Sequence, residues 1–364
     1  MGRYLVAFLI FAHGFIHLMG FAKAFNYAEL KQLIIPVSKP AGTLWLIAGL
    51  LFIVSSALFL FKKDNWWMIV LAAVIISQFV VIMSWKDAKL GTITNAIIIV
   101  AAILSWGNYR FEHTYCKDVM KSLQRSNAKP VEVLTTADLH HLPEPVQRYL
   151  KYAGAVNKPK VKNVRIVFSG KMRDKGKDYF PFTSEQYNFF DEPTRLFFMK
   201  GKKFGVTVPG YHRYSDARAS MDIRLFGLFP VAKKSGDVMN KTETVTLFND
   251  MCLLAPATLI DKRIQWKMID SNSVKAIFTN RGITVSAVLY FNEQGQLIDF
   301  ISGDRTSVAD MRQYPFSTPV HRYKNINGFN ILSEGDTVWH YPEGKFTYGK
   351  FYLKEIEYNV SDLK

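Results

Sequence analysis

Cysteine is almost absent from this sequence: Cys116 and Cys252 are its two cysteines in 364 residues. They lie far apart and belong to no CxxC pair and no Cys/His cluster. A disulfide framework and a zinc site are therefore not indicated. No motif calls for a bound metal or for any other cofactor, and we predict neither.

The signatures of several large enzyme classes are also missing. The sequence contains no phosphate-binding glycine loop, no HExxH, no GxSxG and no dinucleotide-binding fingerprint. Each missing motif excludes the enzymes that carry it, but not every enzyme that catalyses the same class of reaction. No catalytic residue is assigned, and whether the protein is an enzyme stays open.

Acidic residues are scarce relative to basic ones, with 30 Asp and Glu against 46 Lys and Arg. Residues 1–111 hold nine basic and three acidic residues, a net charge of +6. The remainder of the chain holds 37 basic and 27 acidic residues, a net charge of +10. Each Lys or Arg near an acidic bilayer contributes about 1 kcal/mol of attraction, so membrane lipids are predicted partners. No Arg-rich run, zinc-ligand spacing or RNA-binding aromatic signature accompanies the charge, so nucleic acid is not predicted as a partner. The sequence identifies no protein partner.

Long apolar stretches dominate the N-terminal third. A bilayer core of about 30 Å needs roughly 20 apolar residues in a helix. Four stretches qualify, and tryptophans at their ends fit the membrane interfaces: 4–25, 41–61, 66–85 and 91–109. We predict a multi-pass protein of the cell membrane, with residues 1–111 as a domain of four transmembrane helices. The loop charges alone place the C-terminal part outside, but the basic residues just past the last span reverse this, so both orientations stay open.

Two histidines lie within the first predicted span, where polar side chains suggest function by default. His13 and His17 are four residues apart and share one helical face, a spacing that can present two imidazoles to a ligand. The alternative is that they hydrogen-bond neighbouring helices, through Ser77 or Gln78 of the third span. His13, His17 and Gln78 are the intramembrane candidates, for either a structural role or a metal, quinone or proton-relay role. We expect nearby glycines to allow close helix packing.

The C-terminal part has a different pattern. Residues 112–142 are polar and predict a connector, and residues 143–364 predict a β-rich soluble domain. Pro145 and Gly154 fit the start and end of a short helix, after which apolar residues alternate with polar ones over many short runs. Residues 240–254 interrupt them with helical spacing that stops before Pro256. The fold class is thus a membrane α-helical bundle of four transmembrane helices, followed by an α+β domain dominated by a curved antiparallel sheet with one or two helices.

Several motifs resemble those of a bacterial membrane-protein family whose C-terminal soluble region is a domain of unknown function. The motifs are PEPVQRYLKYAGA at 143–155, Val164-Arg165-Ile166, Gly170-Lys171-Met172-Arg173, Pro181-Phe182 with Gln186, Leu254-Ala255-Pro256-Ala257, Ile264-Gln265-Trp266, Arg305 and Tyr358-Asn359. AHGFIHLMGFAKAF in the membrane part is similar to the N-terminal region of longer members. The resemblance covers most of residues 143–360, supports the domain boundary and implies no catalytic role.

Four residues of the soluble domain are candidates for ligand binding or for a buried polar site: Gln186, Asp250, Trp266 and Arg305. Each lies on or just past an otherwise apolar element, where a buried polar group needs a partner. A curved sheet with one helix on its concave face can enclose an apolar cavity, although its aromatics could equally fill an ordinary core. The leading hypothesis is that this domain binds a lipid or another apolar small molecule. The alternatives are an enzyme with a cleft in this domain and a membrane redox or transport component centred on His13 and His17.

Overall fold

The computed structural model describes residues 2–30, 32–127, 131–203 and 205–364, and these form two compact units. The first, here the membrane unit, comprises Met1–Phe111 with Phe226–Leu228. The second, here the sheet unit, comprises Glu112–Leu225 with Phe229–Lys364.

The membrane unit is helical. Its helices are α1 Gly2–Ala24, α2 Lys39–Leu60, α3 Trp66–Met83, a short α4 Trp85–Ala88 and the start of α5 Gly91–Asn127. Within the described ranges, α1, α2, α3 and α5 are long and apolar enough to cross a membrane, so the prediction of four such helices is confirmed. Residues 112–127 of the predicted connector are helical, and 128–130 lie outside the described residues.

Close packing of α1 against α2 depends on glycine. A Cβ atom on Gly14 would lie 2.7 Å from the Cβ of Phe52 and 2.9 Å from the carbonyl oxygen of Gly49. No larger side chain fits at that separation, because such contacts are shorter than two carbon atoms or a carbon and an oxygen allow. Gly14 therefore lets the two helices approach closely, as small residues do in membranes.

The sheet unit contains one antiparallel sheet, which the described strands form in the order β6-β5-β4-β3-β2-β1-β14-β13-β11-β10-β9-β8-β7, with β12 paired to β13. The sheet curls into a half-barrel, which confirms the predicted antiparallel class. The strands are β1 Asn163–Met172, β2 Phe180–Phe189, β3 Thr194–Lys203, β4 Val206–Ser215, β5 Arg218–Leu225, β6 Phe229–Ser235, β7 Ile264–Asp270, β8 Ser273–Asn280, β9 Ile283–Phe291, β10 Leu297–Ser302, β11 Phe316–Ser317, β12 Val320–Ile326, β13 Phe329–Tyr341 and β14 Gly344–Tyr358.

This order is two meanders joined side by side. The first runs from β1 to the edge strand β6, and the second from the opposite edge strand β7 to β14. They meet where β1 pairs with β14, with Val164 opposite Tyr358 and Ile166 opposite Ile356. The connection from β6 to β7 must therefore pass from one edge of the sheet to the other.

Helix α7, Asp237–Leu254, makes that connection, followed by a 3₁₀ turn at Pro256–Ile260. Val245, Phe248 and Cys252, predicted on one helical face, are all fully buried. The Phe248 ring stacks on Phe278 with centroids 5.3 Å apart, so α7 packs directly onto the second meander.

The predicted short helix is α6, Glu144–Tyr152, with Pro145 in its first turn and Gly154 at a φ of +68° after its end. Its Tyr149 is fully buried and donates a hydrogen bond of 2.8 Å from its hydroxyl to the carbonyl oxygen of Cys252. Helix α6 is thereby tied to the end of α7.

Candidate functional site

A cavity of about 500 Å³ lies within the sheet unit, between α7 and the strands. Large apolar side chains supply much of its wall, from the first meander (Phe168, Phe180, Phe197, Met199, Met221) and from the second (Phe316, Trp339, Phe351). The exposed residues Lys234 and Val308 are also part of its lining and mark its mouth. The volume falls in the range of about 300–1,000 Å³ typical of small-molecule sites.

One part of the cavity lining is polar and centres on Arg195 of β3. Its Nε donates to Oδ2 of Asp250 on α7 at 2.8 Å, and a second guanidinium nitrogen donates to Oε1 of Gln186 on β2 at 3.3 Å. The amides of Gln186 and Asn188 each donate to the same Asp250 oxygen at 3.0 Å. The Asp250 carboxylate thus accepts three hydrogen bonds, which is how a buried charge is made tolerable.

A second carboxylate lies two helical turns earlier on α7. Glu243 is only 3% exposed and accepts from Arg195 at 3.2 Å. Its other oxygen lies 3.1 Å from Nδ1 of His212 on β4. Burial pushes the pKa of the Glu243 carboxyl up, but the hydrogen bond from His212 and the charge of Arg195 outweigh this and lower it to about 2. Glu243 is therefore ionised at neutral pH, and Nδ1 of His212 is the donor.

Arg305 reaches the cavity from the segment after β10 and is held differently. Its guanidinium carbon lies 4.0 Å from the centre of the Phe316 ring and 5.4 Å from that of Trp339. One terminal nitrogen donates to the hydroxyl of Tyr348 at 3.1 Å. The aromatic faces fix the plane of the guanidinium while leaving its edge free to donate.

The structure brings together three of the four predicted soluble-domain residues. Gln186, Asp250 and Arg305 all line the cavity. Trp266 does not: it is half-buried on the edge strand β7 and packs against the apolar core.

Sequence reasoning missed Arg195, Glu243 and His212. A signal existed for two of them, since Arg195 is the one charged residue in the buried run Thr194–Met199 of β3, and Glu243 stands seven residues, or two helical turns, before Asp250. Arg195 pairs with Glu243 and Asp250 over 48 and 55 positions, and His212 pairs with Glu243 over 31, so these contacts have no local signature.

The intramembrane candidates form a separate polar network inside the membrane unit. Nε2 of His17 lies 2.8 Å from the hydroxyl of Ser77, and Nε2 of His13 lies 2.9 Å from Oδ1 of Asn95 on α5. Asn95 donates to Gln78 at 3.0 Å, and Gln78 donates to Thr92 at 3.1 Å. The histidines thus join α1 to α3 and α5, the structural alternative that the sequence raised.

We expect this network to hold the helices together. His17→Phe and Ser77→Ala should each lower the apparent unfolding temperature of the detergent-solubilised protein, and a double-mutant cycle should give a coupling of about 0.6–1.7 kcal/mol. Ser55→Ala is the matched control, because the Ser55 hydroxyl donates to the carbonyl oxygen of Leu51 in its own helix. A coupling of zero would show that the His17–Ser77 contact is not part of what stabilises the unit.

We expect the charge of Glu243 to stabilise the sheet unit. Glu243→Gln keeps the shape of the side chain but removes two charge-assisted contacts, so at pH 7 it should lower stability by roughly 1.5–3 kcal/mol. Glu132→Gln is the control, because Glu132 is exposed and pairs with Lys160 at the surface. It should lower stability by only about 0–1 kcal/mol.

The difference between wild type and Glu243→Gln should depend on pH. The folded-state pKa of about 2 lies below the ordinary value of 4.5, so the contribution of Glu243 is fully present above 4.5 and is lost as the pH falls towards 2. Thermal unfolding followed by near-ultraviolet circular dichroism from pH 7 to pH 2 measures it. If the stability difference between wild type and Glu243→Gln stays constant from pH 7 to pH 2, Glu243 is not ionised in the folded protein.

Known structures with a distant likeness to this chain include two that are described here. One is the crystal structure of a LolA superfamily protein from Nitrosomonas europaea, at 8% identity, covering 58% of this chain and 93% of that chain, with a TM-score of 0.35. The other is a beta-barrel-like protein of a domain of unknown function from Brucella abortus, at 8% identity, covering 55% and 98%, with a TM-score of 0.17.

No curated protein matches the sequence. A family model does match, over residues 132–351, which include α6, α7 and the cavity residues described above. The motifs that suggested a family with a domain of unknown function lie almost entirely in this region, so that resemblance is confirmed. The chain belongs to the family of unknown function DUF6544.

Proposed function

We propose that the protein is a multi-pass protein of the cell membrane whose sheet unit binds a lipid or another apolar molecule. Residues 1–111 would anchor it, 112–142 would connect, and 143–364 would form the binding domain. The observation that carries the proposal is the cavity of about 500 Å³ beside α7. An apolar wall with a few fixed polar groups is the usual composition of a small-molecule site.

The paired polar groups of the cavity leave its apolar wall as the surface for a ligand. Arg195, Asp250, Gln186 and Glu243 satisfy one another, so their pairing needs no ligand and fixes the position of α7. The apolar wall opposite them is free to contact a ligand, and removing its surface from water would contribute about 25 cal/mol per Å².

The test is site-resolved photolabelling of the full-length protein in phosphatidylcholine vesicles, with a long-chain alcohol carrying a diazirine. We expect crosslinks in peptides that line the cavity, such as those containing Phe197 and Trp339. Met221→Trp and Met199→Trp place an indole in the cavity and should reduce that labelling several-fold. Met268→Trp is the matched control, because Met268 is 48% exposed on β7. Crosslinks confined to residues 1–111 in the wild type would overturn the proposal.

An enzyme acting on the bound molecule is the second candidate, and the His212–Glu243 pair favours it. A carboxylate that accepts from Nδ1 orients the imidazole and presents Nε2 as a base. Against it, the Asp250 carboxylate already accepts hydrogen bonds from Gln186 and Arg195 and is not free to exchange a proton with a bound molecule.

Lipid extraction separates the two candidates. Wild type and His212→Asn are incubated with vesicles of phosphatidylcholine and phosphatidylglycerol, and the extracted lipids are compared by mass spectrometry. Products that form with wild type and not with His212→Asn support catalysis. Identical lipid profiles support a binding module alone.

A further inference from the structure

Arg305 is in ion-pair contact with no carboxylate of the described residues, although its charge acts on the Glu243 carboxyl at a distance and helps to lower the pKa of that group. Arg195 in the same cavity, by contrast, has two carboxylate partners at ion-pair distance. The Nε atom of Arg305 is buried and has no hydrogen-bond partner among the described residues. Among the residues that the structure describes, the hydrogen-bond partner of Arg305 is the hydroxyl of Tyr348.

The donor groups of Arg305 point to a ligand. A guanidinium carries five N–H donors and no acceptor, and Arg305 is half-buried with its hydrogen bond to Tyr348 using one terminal nitrogen. The rings of Phe316 and Trp339 hold the group in place and supply no oxygen acceptor. An oxyanion at the terminal nitrogens of the guanidinium would supply both the acceptors and the opposite charge.

The outer part of the cavity lining also has more basic than acidic residues: three basic ones, including Lys175, which pairs with Glu343, and two acidic ones. Arg173 and Lys234 are the other basic residues, and neither has a carboxylate within ion-pair distance among the described residues. The two carboxylates of the mouth, Asp174 and Asp336, pair with side chains outside the lining. Those pairs are Asp174 with Lys203 at 3.3 Å and Asp336 with His321 at 3.2 Å.

We propose that Arg305 binds the anionic headgroup, a carboxylate or a phosphate, of an amphiphile whose apolar chain fills the cavity. This proposal rests on the proposed function and adds the chemical class of the ligand. A planar guanidinium fixed on aromatic rings can donate two parallel hydrogen bonds to one oxyanion. The apolar wall lowers the local dielectric constant and strengthens that attraction.

Two diazirine probes of equal chain length test the proposal on the full-length protein in phosphatidylcholine vesicles above pH 8: a fatty acid and the corresponding fatty alcohol. We expect Arg305→Gln to reduce cavity labelling by the acid about tenfold or more, while labelling by the alcohol stays near the wild-type level. Because each probe partitions equally into vesicles with either variant, the comparison isolates the contribution of Arg305. Unchanged labelling by the alcohol also shows that the variant is folded.

Arg173→Gln is the matched control, since Arg173 lines the same cavity but lies between the rings of Tyr179 and Phe346. It should reduce acid labelling by much less than Arg305→Gln. Equal reductions by both variants, or equal labelling by acid and alcohol that Arg305→Gln leaves unchanged, would overturn the headgroup proposal while the binding function stood. Failure of both probes to label the cavity would overturn the proposed function itself.

Unlabelled competitors identify the source of the anion. An alkyl phosphate or a fatty acid should displace the acid probe at far lower concentration than millimolar inorganic phosphate does. Competition by inorganic phosphate as strong as that by the alkyl phosphate would mean a site for a free anion and would overturn the amphiphile proposal.

Discussion

The sheet unit depends on how its chain gets from β6 to β7. These strands are the two edges of one curved sheet, so the connection between them has to pass from one edge to the other, and α7 does so in contact with strands of both meanders. An irregular segment there would leave backbone N–H and C=O groups buried without partners, which is costly. A helix satisfies those groups internally, and α7 is buried along most of its length. The helix in the half-barrel is therefore a requirement of the strand order.

The same requirement explains the polar groups of the cavity. A helix buried on nearly all sides has no solvent-facing stripe for charged residues, so Glu243 and Asp250 must find partners inside. Arg195 lies between them and bonds to both. Removing one member of such a set leaves a buried charge uncompensated, so the set fixes the rotation of α7 about its axis. The cavity is the space between α7 and the strands that these side chains leave unfilled.

Local signals in the sequence predicted the helices well. Pro145 and Gly154 delimit α6, and Pro256 follows α7, because proline and glycine act on the backbone itself. Strands β6 and β12 were missed because each is exposed and carries charged side chains, such as Lys233 and Arg322, instead of an alternating apolar pattern.

Some residues of the cavity lining could also be picked out from the sequence, because they too give a local signal. Gln186, Asp250 and Arg305 stood out as polar residues on apolar elements, which is a local observation. Their geometry could not be predicted, because Arg195 and Asp250 meet only through the packing of α7 on β3. Trp266 was included as an amphipathic residue on an apolar run, but position in the sheet decides what its side chain contacts, and β7 is an edge.

The pairing of β1 with β14 has a consequence for the order of events during synthesis. Val164 and Tyr358 are neighbours in the middle of the sheet but are separated by roughly 200 residues of chain. At about 5–20 residues per second, the ribosome needs roughly 10–40 s to deliver the partner of β1. Throughout that interval the first meander has an unpaired inner edge that other strands can join. The last strand to emerge is thus the one that protects the first from aggregation.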